Sequence, residues 1–242
     1  MTDTPIDPFY QKIEAIQGWL DPTAGQRTID ILNWQCSAGI KGDLFEIGVF
    51  CGKYFAILLD SALRNGDKVL GVDTFEFAPP ERVKTELQTV FGKDVSDHIQ
   101  LWQRPSSTLQ DRHLRNTIGL PRFISIDGAH DYENVFRDLV LCDRIIAPRG
   151  LIAVDDFLNP MTLGVNQAVG AFFAQPRNVV PVAYISNKLF LAHCSSHDAY
   201  RKAFEHIIVN ADDKRSEIFR ARLKNGRNHI EQPFFGHMVL LS

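Results

Sequence analysis

The chain has 242 residues, 45% hydrophobic and 23% charged, enough apolar side chain for a real core without disulfides or a structural metal. Its net charge of -3, from 26 basic and 29 acidic residues, argues against nucleic-acid binding through a broad positive field. The four cysteines, Cys36, Cys51, Cys142 and Cys194, form no C-x-x-C pair, which argues against a zinc site or disulfide framework.

No apolar run approaches the ~20 residues that span a bilayer, and the polar start MTDTPIDPFYQK lacks the pattern of a signal peptide. The expectation is a cytoplasmic protein with no membrane and no nucleic-acid partner.

In chain order, Phe9, Ile13, Ile16 and Leu20 share one helical face, and Pro22 is expected to end that run. Ile29, Ile31, Leu32 and Trp34 predict a second helix that stops near Gly39. A strand-helix alternation follows. Strands are predicted at 44–48, 68–73, 99–103, 122–127 and 151–156, with helices at 54–63, 81–91, 107–117 and 132–146 between them. Such alternation implies a parallel sheet covered on both faces.

A helix near 165–173 precedes VVPVAYI and KLFLAH, which are separated by Ser186 and Asn187 and predict an antiparallel hairpin. From Ser195 the chain reads as helix and then an irregular tail ending FFGHMVLLS. The basic residues between Arg201 and Arg227 alternate with Glu205, Asp212, Asp213 and Glu217, as on a solvated helical face. The expected fold class is α/β: Rossmann-like, doubly wound, mostly parallel and seven-stranded, with N-terminal helices. The expected division is a helical extension over 1–40, a ligand-binding domain over 41–195, and a C-terminal helix and tail over 196–242 packed on it.

In a doubly wound sheet, ligands bind at the carboxyl ends of the strands. The first strand ends in Glu46-Ile-Gly48-Val-Phe-Cys-Gly52-Lys53, where the glycines allow a sharp turn and close approach to a ligand. The following helix points its amides at the same place. A Walker A loop would need glycine at Ile47 and a dinucleotide fingerprint would need glycine at Phe50, so both fail. Asp73 ends the second strand, where a carboxylate can accept from both ribose hydroxyls. With Glu46 and the glycines, it points to an adenosine-type cofactor.

The segments EIGVFCGKY, GVDTF, FISIDGAHDYENVFRDL and PRGLIAVDDF resemble the small class I methyltransferases grouped with macrocin O-methyltransferase and cephalosporin-hydroxylase-like proteins. The resemblance covers roughly 42–173, and its most specific element is IDG-x-H-x-YE followed by G-x-I-x-x-DD. It implies S-adenosylmethionine as methyl donor, a small hydroxylated acceptor such as a sugar of a natural product, and often a magnesium ion. It also implies that Glu46, Gly48 and Gly52 line the methionine and ribose side and that Asp73 takes the ribose. Asp127 and Ser106 are further cofactor-side residues, with 103–106 near the adenine.

Asp127 ends the fourth strand, and Asp155 and Asp156 end the fifth. Three gathered carboxylates need a cation or protons to offset their repulsion, and oxygen ligands favour magnesium, calcium or manganese. Alternatively, Asp155 and Asp156 cap the next helix. His130 is the candidate general base, with Asp127 beside it in the catalytic group. Related sequences often carry an acid where Ala129 stands, which leaves open a cofactor-binding protein without catalysis. A nicotinamide-dependent oxidoreductase is the other alternative, opposed by the missing third glycine. The amphipathic N-terminal helix can either roof an acceptor pocket or pair two copies as a homo-oligomer.

Overall fold

The computed structural model describes residues 8–242; part of the polar N-terminal start, 1–7, lies outside the described residues. Five short strands form the parallel part of the sheet: β1 (Leu44–Ile47), β2 (Val69–Asp73), β3 (Ile99–Gln103), β4 (Phe123–Ile126) and β5 (Leu151–Val154). β1, β4 and β5 are buried at every position, as expected of strands covered on both faces. Two antiparallel hairpins extend the sheet, β6 (Val179–Ile185) with β7 (Lys188–His193) and β8 (Glu231–Phe234) with β9 (His237–Leu241). The strand order is β3-β2-β1-β4-β5-β7-β6-β9-β8. The chain runs outward from β1 to β3 and then returns to β4, so the switch point lies between β1 and β4.

The helices divide between the two faces. α2 (Pro22–Ser37), α3 (Lys53–Asn65), α4 (Pro80–Phe91), α8 (His197–Asn210) and α9 (Lys214–Lys224) share one apolar core through Ile31, Phe55, Leu87, Phe204 and Phe219. α5 (Asp111–Ile118), α6 (Tyr132–Ile145) and α7 (Leu163–Phe172) share the other through Leu114, Leu139 and Val169. The fold is the Rossmann-like, doubly wound, mostly parallel sheet expected, here with nine strands.

Two local expectations change. The first helical run is short: α1 covers Pro8–Ile13, and Pro22 begins α2 rather than ending α1. Proline at the first helical position sacrifices an N–H that has no partner anyway, and the Asp21 carboxylate accepts from the Ala24 N–H at 3.0 Å. The tail FFGHMVLLS is not irregular. Phe235 and Gly236 both have positive φ, 46° and 79°, as a type I′ turn requires, and they join β8 to β9. β9 then pairs in parallel with β6 through Ala183 and Tyr184.

Candidate active site

β1 ends at a turn that only glycine can make. Gly48 has φ +89°, and a Cβ there would lie 1.9 Å from the Asp127 carbonyl oxygen. Gly52, at φ +92°, closes the loop and opens α3. Between them Phe50 has φ 51°, a left-handed conformation unusual for a bulky residue. Asp73 holds this loop: one carboxylate oxygen accepts from the amides of Val49 and Phe50, both at 2.8 Å, and the other from Phe75 at 2.7 Å. The expected ribose acid is thus also the anchor of the glycine loop: Oδ2 is filled by its two amides, and Oδ1 carries, besides Phe75, only a long 3.5 Å contact from the Thr74 hydroxyl.

Glu46, 1% exposed, sits in β1 opposite Gly71 and Ser125. Its Oε2 has no hydrogen-bond partner. Burial, and then the neighbouring Asp127 charge, push its carboxyl well above the usual range. Beyond β3, Ser106 donates to Asp138 Oδ2 at 3.2 Å. Asp138, on α6, is buried, and burial pushes its carboxyl up to about 7. Asp138 is a residue that sequence reasoning missed, because it falls in the polar lettering of an amphipathic helix.

The ends of β4 and β5 gather the remaining acids. Asp127, His130 and Asp156 each offer a ligand atom, and these atoms lie within 4.8 Å of one another. His130 Nε2 is 3.1 Å from Asp156 Oδ2 and 3.9 Å from Asp127 Oδ1. These carboxylates raise the His130 pKa, Asp127 most of all, while burial opposes the rise. Burial and the Asp155 carboxylate raise Asp127 in turn. Asp156 is held at φ 57°, with its Oδ1 accepting from Asn159 at 2.9 Å.

Asp155 is placed differently from its neighbour. Its carboxylate is buried and pairs with Lys188 Nζ at 2.7 Å. Lys188 is itself 1% exposed, and its ammonium lies 4.4 Å from the centroid of the Tyr54 ring. The fully buried cation lowers Asp155 against the opposing effect of burial. The expected set of three aspartates is therefore divided: Asp127 and Asp156 face His130, and Asp155 faces Lys188. Lys188 had a signal in the sequence, a lysine opening the apolar strand KLFLAH, although nothing local pairs it with Asp155.

Among the described residues, four of the seven non-glycine residues with positive φ, Phe50, Phe75, Asp156 and Leu158, lie in these strand-end loops. Strain of this kind concentrates where a fold is shaped around a ligand.

Residues 45–157, which carry all of this except Leu158, Asn159 and Lys188, match the family described as Methyltransferase domain. Over these residues, just under half of its length, the chain is similar to that family. Solved structures share its fold. The O-methyltransferase NovP aligns with a TM-score of 0.58 at 14% identity, covering 70% of this chain and 80% of its own. CalS11, described as a TDP-rhamnose 3′-O-methyltransferase of calicheamicin biosynthesis, aligns at 0.55 with 18% identity, over 68% and 76% of the two chains. TomG from Streptomyces achromogenes, an O-methyltransferase of tomaymycin synthesis solved with S-adenosylmethionine, aligns at 0.56 with 15% identity, over 79% and 92%. No curated protein matches the chain by sequence. Among its described residues, no helix is long and apolar enough to cross a membrane.

Proposed function

We propose that the protein methylates a hydroxyl oxygen of a small molecule, and that Asp127, His130 and Asp156 hold a divalent cation beside the acceptor. The observation that carries this reading is the convergence of their three ligand atoms within 4.8 Å, while Asp155 is engaged by Lys188. The names of the similar structures, O-methyltransferases acting in natural-product synthesis, support an oxygen acceptor. In this reading 41–195 forms the catalytic unit, flanked by 1–40 and 196–242.

The residues present fit the cofactor. Glu46 Oε2 is a buried acceptor without a partner, suited to the amino group of the methionine moiety. Asp73 can take a ribose hydroxyl on Oδ1 in place of the long Thr74 contact, Gly48 and Gly52 shape the loop beneath, and Ser106 lies on the adenine side. Two carboxylates and an imidazole fit a divalent cation of the magnesium or manganese kind, the nitrogen favouring manganese. When bound, S-adenosylmethionine supplies a methyl on a sulfonium, and the cation lowers the pKa of the acceptor hydroxyl. The chain's own part is to hold that hydroxyl in line with the methyl carbon in a cleft set by strand ends, where proximity contributes several powers of ten.

A second reading rests on the 3.1 Å contact between His130 and Asp156: the imidazole takes the acceptor proton itself and Asp156 orients it. The two roles of His130 are exclusive, and one experiment separates them. Turnover of labelled S-adenosylmethionine should vanish in excess chelator and return with manganese or magnesium. Full turnover in chelator that is lost in His130→Ala would assign the base role instead and remove the cation.

A further inference from the structure

Among the described residues, five large apolar side chains are more than half exposed: Trp19 (90%), Met161 (87%), Phe77 (77%), Leu163 (67%) and Leu158 (59%). All five lie at the carboxyl ends of the parallel strands, and the large apolar side chains exposed elsewhere reach at most 44%. Scattered apolar exposure needs no explanation, whereas exposure gathered at one end of the sheet does.

The five form two banks. On one, Trp19 stacks on Phe50 with ring centroids 5.7 Å apart, and Phe50 meets Phe77 at 5.6 Å. Phe50 belongs to the glycine loop itself, so this aromatic shelf is continuous with the cofactor loop. Trp19 is held there by its chain: Lys53 Nζ donates to the Gly18 carbonyl at 3.0 Å. On the other bank, Leu158, Met161 and Leu163 stand on the segment that leaves Asp156. Thr162 Oγ1 donates to the Asp156 carbonyl at 3.1 Å. Leu158, a branched side chain, is kept at φ 64° while its amide donates to Asn166 Oδ1 at 2.8 Å. A strained leucine presented to solvent is unfavourable in the free protein unless something apolar covers it.

We infer that the acceptor carries its hydroxyl on a largely apolar body, such as a ring system or an alkyl chain, which lies against Trp19 and Phe77 on one side and Leu158, Met161 and Leu163 on the other. This rests on reading the cleft as a site of oxygen methylation. It distinguishes the acceptor from a free sugar nucleotide, whose charged diphosphate these side chains cannot serve. Ligand sites of this kind join an apolar lining to a few fixed polar groups, here Asp127, His130 and Asp156.

The test uses the full chain loaded with S-adenosylhomocysteine and two probes with the same hydroxyls, octyl gallate and methyl gallate. Calorimetry should show the octyl ester binding at least about ten-fold more tightly, since burial of even a few methylenes exceeds that factor. The preference should shrink to about two-fold or less in Trp19→Ser/Met161→Ser, and octyl gallate should protect the fluorescence that this variant lacks from iodide quenching. Equal affinity for the two esters, or tighter binding of TDP-rhamnose than of either, overturns the inference while leaving methyl transfer intact. Iodide access to Trp19 that falls with protein concentration, without ligand, also overturns it, because a second copy then covers the rim. Failure of S-adenosylhomocysteine to bind overturns the underlying reading as well.

Discussion

The two ends of the parallel strands treat buried charge in opposite ways. At the amino end, Arg122 is fully buried just before β4, and every arm of its guanidinium is used. Its Nε donates to Asp67 at 3.0 Å, Nη1 to Gln35 at 2.6 Å and Nη2 to Ser61 at 2.9 Å. At the carboxyl end, Glu46 is buried as deeply and one of its oxygens has no partner. Asp127 and Asp156 crowd a histidine, and Asp156 adopts a strained backbone. An unpartnered buried carboxylate beside crowded acids and strained backbone, as at the carboxyl end, is the pattern of a surface shaped for a ligand.

This contrast makes stability and binding separable. The largest expected effect is at the amino end. Arg122→Ala strands Asp67 and Gln35 in the interior and should cost ~3–5 kcal/mol in urea unfolding, with S-adenosylhomocysteine affinity little changed for the protein that remains folded. Next, Asp73→Ala removes the acceptor for the Val49, Phe50 and Phe75 amides. It should weaken S-adenosylhomocysteine on the order of 100-fold by calorimetry, since each bond to a charged acceptor is worth ~1.5–3 kcal/mol. An unchanged affinity would mean that the loop holds its shape without that anchor.

Asp156→Ala should lower manganese affinity ~10–100-fold in a metal titration and leave S-adenosylhomocysteine binding within a few-fold. Equal losses of both would join what the fold separates.

The smallest effect is a slope. Asp138 keeps its proton in the folded protein up to about 7, against an unfolded value near 3.9, so between these values the folded state binds more protons than the unfolded. Its contribution to stability should therefore be largest below about pH 4 and decline as pH rises toward about 7. In Asp138→Asn that part of the decline should disappear, which a urea series across the range would show.

Much of this was legible in the letters. Five apolar runs, each followed by a helical pattern, specify a parallel sheet, and acids at the ends of three of them mark the cleft, because side-chain period and strand polarity are local properties. Gly48 is legible too, since no other residue survives so close to the Asp127 carbonyl. The β8–β9 hairpin was not, because its strands are short and Pro233 argues against a strand; its signal was the turn at Phe235-Gly236.

The sequence by itself determined the class of fold, the end of the sheet where the chemistry sits, and which acids stand there. Only the tertiary structure decided how those acids are paired. Asp155 and Asp156 are adjacent in the chain, yet one turns toward a lysine from β7 and the other toward a histidine that follows β4. Trp19 reached Phe50 the same way, from a segment that the hydrophobic pattern had read as helix and that the structure leaves as a loop. Contacts of this range depend on which strands and loops become neighbours, and side-chain periodicity carries no record of that.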